Sequence, residues 1–244
     1  MAEPLRLLDT IKFATEQIWK NRIAISKLIV FSGLVNGLIA WLMLNQADPP
    51  VTVWVYAFLA GGVYTLLAVN VHRLILKANN QVVLYPWTWR ETRFMGWLVL
   101  IYFYFGLLFV LGVAVTALPI GYVLFKNGVW TAELLWALVT LPGGYLVVRL
   151  SLLLPATALD LRHRMTWAWK LTEGNGWRLL ALLWLLPMLI SSAIPDMASD
   201  VSALFVAWHI LIAIGTALEI ALLSAVFNTL AREGLIPSQV TSQP

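Results

Sequence analysis

Glu219 is the residue of this chain whose type and position most call for chemistry. It stands in Gly215-Thr216-Ala217-Leu218-Glu219-Ile220-Ala221, an apolar stretch with no other charge. A carboxylate inside a bilayer costs at least about 2.5–3.5 kcal/mol on insertion scales, so such a group is paired, protonated or functional. Two arginines reach a similar depth on runs of the same direction: Arg149, twenty residues past Val129, and Arg73, twenty-two past Val51. Two chemistries fit this set. One is a proton- or ion-coupled relay through the carboxyl; the other is a buried ion pair that holds helix register. The spacing predicts Glu219 inside the bundle, facing Arg149 first and Arg73 second. Arg73 ranks second because it is near enough to its helix end to snorkel into the headgroups. His209, in the same run as Glu219, reads as a hydrogen bond to a neighbouring helix.

Other patterns point away from catalysis. The chain has no Walker loop, no H-E-x-x-H, no G-x-S-x-G and no dinucleotide fingerprint. Its three histidines, His72, His163 and His209, are scattered, and it has no cysteine. No metal, cofactor or enzymatic activity is therefore expected. Asp196 and Asp200 resemble a carboxylate pair, but they precede an apolar run, where the helix dipole favours negative charge. Near the basic loops only Glu91, Asp160 and Glu173 offer carboxylates.

The elements that must carry these residues are set by composition. Of 244 residues, 61% are hydrophobic and 11% charged. A soluble domain is about 45–50% apolar and about 25% charged, so the excess faces lipid. A bilayer core of about 30 Å needs about 20 apolar helical residues. Five runs qualify: Leu28–Leu44, Val51–Val71, Met95–Leu118, Val129–Leu154 and Val201–Leu230. A sixth, Trp177–Ile194, is shorter and holds Pro187. The expected fold is an all-α polytopic membrane protein, a single domain of six transmembrane helices in three hairpins. Turns are expected at Asn45–Pro50, Pro119–Gly128 and Pro195–Asp200. Gly33-x-x-x-Gly37 allows close helix approach, and Gly61-Gly62 and Pro142-Gly143-Gly144 mark bends or close packing.

Charge then orients the chain. Fifteen of sixteen lysines and arginines fall in residues 1–27, 72–94, 149–178 and the tail, against Lys126 alone on the other side. By the positive-inside rule both termini are cytoplasmic. A cleaved signal peptide is not expected, because Glu3, Asp9 and Glu16 interrupt the basic N-terminal segment. In Pro4–Lys20, Leu7, Ile11, Ala14 and Ile18 recur at helical spacing, which predicts an amphipathic helix on the cytoplasmic leaflet. Arg162–Thr172 repeats the device: Arg162, Arg164, Lys170, Trp167 and Trp169 are expected at lipid headgroups, with Gly174 closing the helix. The pairs Arg73-Leu74 and Arg149-Leu150, then Gly96-Trp97 and Gly176-Trp177, suggest a diverged repeat of about eighty residues.

The stretches Arg149-Leu150-Ser151-Leu152-Leu153-Leu154-Pro155-Ala156 and Ala168-Trp169-Lys170-Leu171-Thr172-Glu173-Gly174-Asn175-Gly176-Trp177-Arg178 carry a family likeness. With the amphipathic start and six runs, the chain resembles uncharacterised six-span bacterial inner-membrane proteins. These are similar to the membrane domain of some glycerophosphodiester phosphodiesterases. The likeness implies a bacterial inner-membrane location; the catalytic domain has no counterpart here, and no site residue is carried over. The expected function is a non-enzymatic module of the cell envelope that binds a partner or organises lipid. Anionic headgroups are its expected partners, with another membrane protein as a further candidate and no nucleic acid. The alternative is a small transporter or channel using Glu219.

Overall fold

A computed structural model of the chain describes residues 5–44, 49–77, 87–116, 126, 132–192 and 202–234. Every regular element among the described residues is helical. In chain order these are α1 (Leu7–Lys20), α2 (Arg22–Leu44), α3 (Pro49–Lys77), α4 (Trp89–Thr116) and α5 (Ala132–Leu150). The short helices α6 (Leu153–Ala158), α7 (Met165–Leu171), α8 (Gly176–Leu180) and α9 (Leu186–Ser192) follow, then α10 (Ser202–Gly234). Pro49 and Pro50 open α3, where a missing N–H leaves no intrahelical bond unmade. The remainder of the three expected turns, apart from Lys126, lies outside the described residues, as do Pro4, Asp196 and Asp200.

Among the described residues five helical segments are long and apolar enough to cross a membrane: those in α2, α3, α4, α5 with α6, and α10. The sixth run is helical over residues 176–192, and among the described residues its apolar stretch is Gly176–Leu189. It is also irregular, with a π-helical turn at Ala181–Leu185 between α8 and α9. Pro187 explains the turn, since it offers no N–H to the Leu183 carbonyl and its ring crowds that turn. The fourth run continues past Leu154 to Ala158 with a break after Leu150. Pro155 cannot bond back to Ser151, and Leu154 instead donates to the Ser151 carbonyl at 2.9 Å.

The helices pack in two connected groups. α10 is the central element of the first, covered by α2, α3 and α1. α4, α5 and α8 make the second, and α6 joins the two by touching α3, α4 and α10. The core lies toward one end of the bundle, built from Leu67–Ile75, Phe94, Val148–Ala158, Leu179–Leu182 and Ala213–Ala231. The loops rich in arginine meet at that end. Toward the other end α2, α3 and α4 show large apolar side chains, Leu38, Trp41, Trp54, Phe58, Val110 and Leu111 among them.

α1 departs from a helix that simply floats on lipid. Leu7, Ile11, Ala14 and Ile18, the stripe assigned to the leaflet, pack on the protein core, whereas Leu8 and Trp19 are exposed. The Leu5 N–H donates to Asn175 Oδ1 at 2.8 Å, which pins the segment to the turn before α8. The proposed repeat also fails to superimpose its elements. Gly96 stands eighth in α4 with no atom near its Cα substituent position, while Gly176 opens α8 beneath the Tyr145 ring. The glycines of α5 do serve close packing: a Cβ would lie 2.7 Å from Phe105 at Gly143 and 2.8 Å from Trp184 at Gly144.

Candidate functional site

The end of the bundle that collects the basic loops holds a group of three arginines around one carboxylate. α3 delivers Arg73 in its last turns, and the first turns of α4 deliver Arg90 and Arg93. The carboxylate is Asp160, just past α6. There the Leu161 N–H bonds the Ala156 carbonyl and the Asp160 N–H bonds the Thr157 carbonyl, each at 2.9 Å. This is a Schellman closure, and it puts Asp160 in the left-handed position with φ 64°. Glycine is usual there; aspartate is among the few side chains that tolerate it.

Arg90 Nη1 lies 3.2 Å from Asp160 Oδ2, Arg93 Nη2 lies 3.2 Å from Oδ1, and Arg73 Nη1 lies 3.7 Å from Oδ2. Asp160 is half exposed, so the group opens outward. Glu91 secures it from beneath. Fully buried, its Oε1 accepts from Arg90 Nε at 2.9 Å and Nη2 at 2.8 Å. Its Oε2 accepts from the Thr88 N–H at 2.8 Å and from the Thr88 hydroxyl. Thr88-Trp89-Arg90-Glu91 is thus a capping box, the glutamate at the third helical position returning to the cap residue. The T-x-x-E pattern was readable in the sequence and would have placed α4's start beside Asp160's loop. Asp160's convergence with Arg73, which lies eighty-seven residues earlier, has no local signal.

Arg149 does not pair with Glu219. It is buried at 6% exposure, and its Nε donates to Thr172 Oγ1 at 2.7 Å. Nη2 donates to the Trp169 carbonyl, Nη1 to the Tyr145 hydroxyl at 3.4 Å, and the guanidinium carbon sits 3.6 Å from the Trp169 ring centroid. The Trp169 carbonyl belongs to α7's last turn, which leaves orphan acceptors and attracts positive charge. Arg149 therefore clamps α7 onto α5. Of the residues expected at headgroups, Arg162, Arg164 and Lys170 are exposed. The two tryptophans have a second role inside the fold, Trp169 beneath Arg149 and Trp167 against Phe227. His163 stacks on Trp167 with ring centroids 3.9 Å apart, and burial holds its imidazole below the usual histidine value. Gly174 takes φ 78° after α7, as a closing glycine does.

Glu219 lies on an exposed face of α10, and among the described residues it forms no ion pair. The expected pairing is corrected on both sides, since Arg149 serves α7 and Arg73 serves Asp160. The cost of the Glu219 carboxyl in lipid is thus not offset by either arginine. His209 is buried in α10, as a helix-contacting histidine should be. Buried polar atoms occur elsewhere in the apolar region. Asn36 is fully buried, and among the described residues its Oδ1 and Nδ2, Ser32 Oγ and Thr65 Oγ1 have no hydrogen-bond partner. His72 Nδ1 lies 2.7 Å from Ser224 Oγ, whose own proton goes to the Ile220 carbonyl at 2.8 Å. Among the described residues no three His, Cys, Asp or Glu side chains group to hold a metal. No family model matches the chain, and no curated protein or solved structure matches it either.

Proposed function

We propose that the chain is a non-enzymatic, six-span protein of a bacterial inner membrane, with both termini cytoplasmic, whose basic end engages anionic lipid headgroups. One observation carries the reading: Arg162 and Arg164, just before α7, and Lys170, in its last turn, are all exposed and follow Asp160 and its arginine group closely in the chain. Each basic residue near an anionic surface contributes about 1 kcal/mol at ordinary salt, so a cluster of this size holds headgroups. The fifteen-to-one division of lysine and arginine supports the orientation. The likeness to inner-membrane domains that accompany a separate catalytic domain agrees with a module that presents or gathers lipid.

In this reading α8, the π turn and α9 are the sixth span, interrupted by Pro187 and tolerable because α5 and α10 pack against it. A second reading, a small transporter or channel, draws on the unpartnered polar atoms of Ser32, Asn36 and Thr65 rather than on Glu219.

Single cysteines in this cysteine-free chain test the orientation in intact cells. A probe that cannot enter should label Gln46→Cys and leave Ser238→Cys unlabelled; the reverse pattern overturns it. For lipid, Arg162, Arg164 and Lys170 replaced together by glutamine should reduce retained phosphatidylglycerol about tenfold or more in native mass spectrometry from nanodiscs. Unchanged retention sinks the headgroup reading and leaves the intramembrane one.

A further inference from the structure

Three arginines converge on the half-exposed carboxylate of Asp160. Among the described residues the carboxylates paired with them are Asp160 and Glu91, and Glu91 is taken up by Arg90 and Thr88. Segments 72–94 and 155–172 contain Arg73, Lys77, Arg90, Arg93, Arg162, Arg164 and Lys170, yet Glu91 and Asp160 are their only acids. Charge-assisted N–H···O bonds close to about 2.7–2.9 Å when donor and acceptor fit. The contacts to Asp160 stand at 3.2, 3.2 and 3.7 Å. Asp160 thus meets three guanidinium groups from two helices, Arg73 of α3 and Arg90 and Arg93 of α4. Arg93 commits Nη2 to Asp160, and its buried Nε has no partner.

The mouth of this group lies at the first turn of α4, beside exposed Trp87 and Trp89. Tryptophans of that kind mark the headgroup level of a bilayer. The anion that matches three convergent guanidinium groups, of which Arg90 offers Nη1 while its Nε and Nη2 hold Glu91, is one with three terminal oxygens and a charge near −2. Asp160 is then an internal stand-in: its left-handed backbone position points a small acid into the place a ligand would take.

We propose that Arg73, Arg90 and Arg93 form a binding site for a phosphate monoester at the membrane surface, which Asp160 fills when no ligand is bound. The chemistry is shared by a lipid whose headgroup is a bare phosphate and by soluble phosphate. The lipid source rests on the headgroup reading given above, whereas the arginine site itself does not.

The test uses the full chain in phosphatidylcholine nanodiscs. One arm adds phosphatidic acid, one adds phosphatidylglycerol as an anionic phosphodiester control, and one adds inorganic phosphate to the buffer. Asp160→Asn keeps a side chain that tolerates the left-handed position while removing the competing charge. It should bind phosphatidic acid about tenfold more tightly and leave phosphatidylglycerol unchanged. Arg93→Gln should weaken phosphatidic acid about tenfold. Arg93→Lys, which keeps the charge and the fold but loses the fork, should weaken it too. The Arg162, Arg164 and Lys170 triple variant should lower both lipids together, so its failure reports on the general headgroup reading alone. A response to inorganic phosphate with none to phosphatidic acid upholds the site and makes its ligand soluble. If Asp160→Asn and both Arg93 variants leave every arm as in the parent chain, the site does not exist.

Discussion

Replacing Gly33 with valine is expected to push α2 off α10 and lower stability by about 1–3 kcal/mol. A Cβ at Gly33 would lie 2.7 Å from Ile210 Cγ1 and 2.8 Å from Ile210 Cα. The first contact can be relieved by a rotamer change. The second cannot, because the Cα belongs to the backbone of the helix on which α1, α2 and α3 all pack. Inside a bilayer lipid is as apolar as the helices, so close van der Waals fit, rather than expulsion of water, holds the pair together. Alanine at Gly106 or Gly215 is the internal control, since no atom lies within 4 Å of a Cβ at either position. Both should be neutral or slightly stabilising, because alanine is the better helix former. Reversible unfolding in mixed micelles, followed by circular dichroism, measures all three. Equal losses at Gly33, Gly106 and Gly215 would mean that α2 and α10 are not in close contact.

Arg149→Leu should cost about 2–4 kcal/mol, the sum expected for lost charge-assisted hydrogen bonds and a desolvated cation–π contact. The substitution leaves the Trp169 carbonyl at the end of α7 without its cation, and it removes the group that Trp169 and Tyr145 enclose. Arg149→Lys should recover only part of the loss, since an ammonium neither stacks as a plane nor reaches Thr172 and Trp169 together. Glu219→Gln should be neutral or stabilising, because that carboxyl forms no ion pair among the described residues and the substitution removes a charge from the apolar span. The same unfolding measurement compares them. If Glu219→Gln costs as much as Arg149→Leu, the two side chains are partners after all, and the clamp on α7 is the wrong account.

The membrane class and the all-helical fold were legible before any coordinates. Hydropathy and helical period are properties of one segment at a time, and lipid imposes the same requirement on every segment. The close approach at Gly33, the positive φ at Gly174 and the exposure of Arg162, Arg164 and Lys170 were readable for the same reason, since each depends on its own neighbourhood. Pro187 announced a disturbance, though not a π-helical turn.

What only tertiary structure decided is which residues face one another. Depth along a helix follows from counting at 1.5 Å per residue, but direction changes by about 100° with each residue, and packing sets the rotation of the whole rod. Counting therefore put Glu219, Arg149 and Arg73 near one depth, while rotation placed Glu219 outward, Arg149 over Trp169 and Arg73 beside Asp160. The stripe of α1 was likewise found correctly and assigned to the wrong neighbour. Leu7, Ile11 and Ile18 meet the protein core, because a stripe of apolar side chains is complementary to a helix bundle and to lipid alike. Asp160's role was the least accessible. It depends on a left-handed residue after a six-residue helix turning toward arginines from two other helices, and no periodicity along the chain encodes that meeting.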